Sequence, residues 1–121
     1  MDKTNKQLVV DGFREFASGN TEVLRTLLHE NFIEHSPGNP SGRDAFIEFV
    51  ATAPVAGAHL DLKRVVAEDD LVVMHYSMTP EGDERGVAVV DIWRIEDGQI
   101  AEHWDVVQPV PETGQIPNGM F

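Results

Sequence analysis

Residues 89–111 read VVDIWRIEDGQIAEHWDVVQPVP. Two strand-like segments flank Asp97–Gly98, a pair that favours a tight hairpin turn. Pro109 and Pro111 stop the second segment, because proline has no place in the middle of a sheet. That segment nevertheless carries Glu102, His103, Trp104 and Asp105 in its middle. The register of the hairpin decides where these four side chains point. A two-residue turn would pair Asp91 with Trp104. A three-residue turn with a bulged glycine would pair Asp91 with Asp105 and Trp93 with His103. The second register is preferred, because it gathers Asp91, Trp93, His103 and Asp105 on one face. Val90, Ile92, Arg94, Glu102, Trp104 and Val106 then share the other. A slip of one residue would invert every assignment.

Outward from this hairpin, the second half of the chain reads as strands. HLDLKRVVAE alternates, DD turns, LVVMHYSMT is a strand and PEGD is a second hairpin turn. The first half reads as helices. Leu8, Val9, Phe13, Phe16 and Ala17 recur at helical spacing, and Gly19 ends that run. Asn20 and Thr21 can cap a short second helix with Val23, Leu24, Leu27 and Leu28 on one face. NFIEHSPGNPSG breaks regularity. Ser41 followed by Asp44 resembles a capping pattern for a third helix with Ala45, Phe46, Phe49 and Val50 inward. Helices followed by an antiparallel meander make an α+β plan. Helices on the concave side of a curved sheet would leave a pocket.

The chain has 121 residues, which fits one domain, and 41% are hydrophobic, enough for a core. Acidic residues outnumber basic ones 21 to 9, for a formal charge of −12. Such a surface argues against nucleic acid and anionic membranes as partners. Cysteine is absent, which excludes disulfides and thiol chemistry. No run approaches the ~20 apolar residues of a membrane span, and the first ten residues lack a signal-like apolar stretch, so a cytoplasmic protein is expected.

FIEHSPGNPSGRDAFIEF (32–49), together with residues 89–111, resembles the SnoaL-like branch of the NTF2-like superfamily over nearly the whole chain. That branch includes polyketide cyclases that close rings by intramolecular aldol condensation, and related folds include ketosteroid isomerases and limonene epoxide hydrolases. The resemblance implies one domain over residues 1–121, an NTF2-like cone with three N-terminal helices on a strongly curved, mostly antiparallel sheet. It also implies that Asp91 and Trp93 face a cavity, that His35 in the EHSP loop supplies a general base, and that Asp105 matches the carboxylate of the last strand. Two departures stand out. Val89 occupies the position where the hydrolases need an arginine, which disfavours epoxide hydrolysis. Phe13 and Phe16 stand on helix one where the isomerases use a tyrosine; Tyr76 could replace it if Met74, Tyr76 and Met78 turn inward.

The expected chemistry is cofactor-independent proton transfer, aldol-type or isomerising, on a small apolar carbonyl compound. Histidine is the ready base, and a neighbouring carboxylate can orient it or return the proton. The candidate catalytic residues are His35, Asp91, His103 and Asp105. Phe13, Phe16, Tyr76 and Trp93 would wall the substrate. His35, His103 and one aspartate could in principle hold a divalent cation, but no metal-binding spacing supports this, and neither metal nor cofactor is expected. The competing reading is a non-catalytic module that binds a small hydrophobic ligand or only dimerises. A homodimer through the convex sheet face is expected from Val90, Ile92, Trp104 and Val106. The tail, ending in Met120–Phe121, is expected to lie across the pocket mouth or a partner subunit.

Overall fold

A computed structural model describes residues 3–112 and 114–121. Helix α1 (Asn5–Ala17) opens with a capping box: the Thr4 hydroxyl accepts from the Gln7 backbone N–H, and the Gln7 side-chain oxygen accepts from the Thr4 N–H. A 3₁₀ turn (Thr21–Val23) leads into α2, only four residues long (Leu24–Leu27). Helix α1 passes close to α2 at Gly12, where a Cβ would fall 2.3 Å from Leu27 Cδ1.

The expected helix face at Leu27–Leu28 breaks there. Leu28 turns to an extended backbone and begins β1 (Leu28–Glu34). This strand was not expected, since its segment read partly as helix and partly as loop. Tertiary packing decides it: Leu28 and Phe32 are buried in the core. Helix α3 spans Arg43–Ala51. Its N-cap is Gly42 at φ 90°, with no side-chain cap, so the expected capping role of Ser41 is not seen. The Ser41 hydroxyl instead accepts from the Glu34 N–H at 3.0 Å and ties the loop to β1.

Strands β2 (His59–Glu68), β3 (Leu71–Thr79), β4 (Val87–Glu96) and β5 (Gln99–Pro109) form the expected meander. The five-stranded sheet has the order β1-β5-β4-β3-β2, with β1 parallel to β5 and the other pairings antiparallel. The fold is therefore α+β with a curved mixed sheet, and the helices pack on its inner face. Two bulges interrupt the ladders. One lies at Lys63, opposite the step between His75 and Tyr76. The other lies at Ala101, between the pairs Arg94↔Glu102 and Ile95↔Ile100. Bulges bend strands and increase local twist.

The preferred hairpin register is observed: Asp91 opposes Asp105 and Trp93 opposes His103. Its cause differs from the expectation. The turn has two residues, Asp97 (φ 52°) and Gly98 (φ 77°), between the paired Glu96 and Gln99. Positive φ at both positions is the mark of a type I′ turn. The extra residue is Ala101 in the strand, not the turn glycine.

Candidate active site

A cavity of about 350 Å³ lies between the helices and the inner sheet face. Its walls are mostly apolar. Phe13, Phe16, Leu24, Phe46 and Phe49 come from the helices, and Met74, Tyr76, Met78 and Val89 from the sheet. At one end stand Asp91, Trp93, His103 and Asp105. The alternation of β4 and β5 sends these four inward, while Glu102 and Trp104 go outward.

His103 is the centre of a buried chain. Its Nδ1 lies 2.7 Å from Glu34 Oε1 and its Nε2 lies 2.9 Å from Asp91 Oδ1. The side chains of Glu34, His103 and Asp91 are 0%, 4% and 6% exposed. The Glu34 carboxylate also accepts from the backbone N–H groups of His35 (2.9 Å) and Ser36 (3.1 Å), and from Asn39 Nδ2 (3.3 Å). A group surrounded by donors is held as the anion. Burial alone would raise the Glu34 carboxyl, but the bonds to His103 and these other donors outweigh it and lower it. Burial likewise lowers His103, yet the hydrogen bonds and charges of Asp91 and Glu34 prevail and raise it to about 9. Both ring nitrogens therefore donate, and His103 is an imidazolium at neutral pH. Trp93 stacks on it with ring centroids 4.0 Å apart, which suits a cation on an indole face.

Asp105 differs from this chain. It is half-buried and makes no ion pair among the described residues. Burial raises its carboxyl. The Ser36 hydroxyl and the His103 charge oppose that, and the charges of Asp91 and Glu34 push it up again. The Tyr76 phenol is raised well above its usual range by burial, then by the Asp91 and Asp105 carboxylates, so it stays protonated. Trp93 Nε1 is buried with no hydrogen-bond partner among the described residues.

Of the expected site residues, the fold brings Asp91, His103 and Asp105 together, with one ligand atom of each within 4.8 Å of the others. Phe13, Phe16, Tyr76 and Trp93 line the cavity. His35 does not join them. Its ring lies on the outer face, 2.6 Å from Glu102 Oε2 and stacked on Trp104 at 4.9 Å. The reason is strand parity: β1 runs through Glu34, so Glu34 turns inward and His35 outward. Glu34 is the residue that the sequence reading missed. A buried histidine with a second nitrogen to satisfy was the available signal. The same parity places His35 and one aspartate too far apart in facing to share the imagined cation with His103.

The tail also departs from one expectation. Phe121 stacks on His75 at 5.6 Å, with Lys63 Nζ 5.4 Å from its ring, on the outer face of β2 and β3 rather than at the cavity.

The SnoaL-like domain model matches residues 9–103. The chain belongs to the SnoaL-like family. No curated protein matches it. Among solved structures, an NTF2-like protein of unknown function from Cytophaga hutchinsonii is similar, with a TM-score of 0.77 at 16% identity, covering 89% of this chain and 93% of that one. A candidate ketosteroid isomerase from Kribbella flavida gives 0.76 at 19% identity, covering 95% and 83%. IdmH, a candidate polyketide cyclase from Streptomyces antibioticus, gives 0.68 at 20% identity, covering 87% and 92%. These likenesses establish the NTF2-like fold of this SnoaL-like chain. No helix among its described residues is long and apolar enough to cross a membrane.

Proposed function

We propose that this SnoaL-like protein catalyses cofactor-independent proton transfer on a small apolar carbonyl compound, as in aldol-type cyclisation or isomerisation. One observation carries the reading: Asp105 is an unpaired carboxyl at the polar end of an apolar cavity, with its proton affinity raised. A carboxylate with a raised pKa is a better base near neutral pH. This moves the base from histidine to Asp105, because His103 already carries its proton. In the proposed step the Asp105 carboxylate takes the proton from the carbon beside the carbonyl, and the C–H electrons pass to the carbonyl oxygen as an enolate. The protonated Tyr76 phenol lines the same cavity and is a neutral donor class for that oxygen. The Glu34–His103–Asp91 chain fixes the floor, and Asp105 then returns the proton to carbon.

The test is hydrogen–deuterium exchange of 2-tetralone in deuterated buffer, followed by proton NMR. The protein should accelerate exchange at the acidic carbon above buffer alone, and Asp105→Asn should not. Equal rates with and without protein, or an unchanged rate in the variant, would contradict the proposal.

We also propose that two copies associate through the outer sheet face. Val106 is 66% exposed there, on the face that also carries Val90, Ile92 and Trp104. Trp104→Glu should convert a dimer to a monomer in light scattering, whereas a wild-type protein that is already monomeric would refute the interface.

A further inference from the structure

We propose that the ligand of this cavity is an apolar organic cation, with its positive group held between Asp91 and Asp105 and its body among the aromatic walls. The inference rests on reading the cavity as the substrate site, but not on the proton-transfer step.

The charge inventory carries it. Among the described residues, no lysine or arginine lines the cavity. One imidazolium, His103, faces three carboxyl groups: Glu34 and Asp91, which occupy its two nitrogens, and Asp105, which is left without an ion pair. Asp91 and Asp105 stand directly opposite each other on paired strands. Like charges in that relation destabilise a sheet, and the effect grows as water is excluded. An ammonium group between them supplies the missing positive charge and up to three N–H donors. Phe13, Phe16 and Tyr76 add π faces suited to a cation. The overall charge of −12 enriches cations and depletes anions around the molecule. A carboxylate or phosphate on the ligand would instead meet bare negative charge.

A bare divalent ion is the rival cation. Asp91, His103 and Asp105 are close enough to share one. However, His103 Nε2 already bonds Asp91 Oδ1 at 2.9 Å, with Nδ1 bound to Glu34. A metal would have to take the proton from Nε2 and break that bond. An organic ammonium leaves the chain intact and fills the apolar volume as well, and that volume lies at the small end of the ~300–1,000 Å³ range of ligand sites.

The experiment is calorimetric titration of the intact protein near neutral pH with three compounds sharing one ring system: 2-(aminomethyl)naphthalene, 2-acetylnaphthalene and 2-naphthoate. Zinc and magnesium ions are titrated separately. The ammonium compound should bind about tenfold or more tightly than the ketone, and the naphthoate should not bind. Asp105→Asn, with its fold checked by circular dichroism, should erase the preference for the ammonium. A ketone or naphthoate that binds as well as the ammonium in the wild-type protein would overturn the inference, whatever the variant does. So would a metal ion that binds while the ammonium does not. Failure of tetralone exchange alongside a clear ammonium preference would sink the proton-transfer reading and leave this one standing.

Discussion

Two histidine–carboxylate networks lie back to back across strands β1 and β5. On the inner face, Glu34 and Asp91 grip His103. On the outer face, Glu102 grips His35, with Arg94 Nε 2.8 Å from the other Glu102 oxygen. Four of the six residues that build them are neighbours in sequence, Glu34 beside His35 and Glu102 beside His103. Their chemistry is the same and their surroundings are opposite. The inner ring is 4% exposed, whereas the outer ring is 41% exposed. The partners of the inner ring raise it to about 9. An ion pair in water gains little beyond what solvent already gives, whereas a buried one must be complete or it is very costly.

The largest expected effect comes from breaking the inner network. His103→Gln leaves two buried carboxylates short of a charge, and it should lower unfolding stability by about 3–5 kcal/mol in urea titration. Glu34→Ala should cost a similar amount, since it strands the imidazolium Nδ1–H. A loss below about 1 kcal/mol would put the inner pair in the same class as a surface pair.

The next effect is its pH dependence. His103 in the folded protein titrates at about 9, above its ordinary 6.5. A raised imidazole binds its proton more tightly folded than unfolded. Its stabilisation is complete below about 6.5 and is lost as pH rises through about 9, an effect on the order of a few kcal/mol. Melting temperature should therefore fall on the alkaline side, and the fall should be shallower in His103→Gln. Glu34 acts in the other direction: its lowered carboxyl contributes above its ordinary range and ceases to as pH drops through its folded value. Equal alkaline slopes in wild type and variant would remove His103 from the account.

The smallest effect belongs to the outer face. His35→Gln or Glu102→Gln should each cost less than about 1 kcal/mol and leave proton exchange unchanged. A loss of exchange in His35→Gln would restore that residue to the site and break the contrast between the faces.

Much of this contrast was legible in the sequence. Alternation within EHWD and DIWR identifies Asp91, Trp93, His103 and Asp105 as one set once the register is chosen. The meander, α1 and α3 follow from periodicity and turn residues. Three things were not legible. The short strand β1 has no alternating pattern of its own, because Leu28 continues a helical run and Pro37 follows closely; only pairing with β5 makes it a strand. Without that strand, the parity that turns Glu34 in and His35 out could not be assigned. The Ala101 bulge was read as a longer turn, which gave the right register for a different reason. Partner choice for His103 depends on three strands meeting, and no local spacing encodes it.

The central claim is that Asp105 is the free, ligand-facing carboxyl and that Glu34, His103 and Asp91 hold the floor beneath it. Its most direct test is Asp105→Asn, with tetralone exchange and melting temperature measured on the same preparation. Removing an unpaired carboxyl from a pocket crowded with negative charge should leave the melting temperature unchanged or raise it. Exchange should fall to the buffer rate. A melting temperature that drops as far as that of His103→Gln, or exchange that persists, would contradict the account.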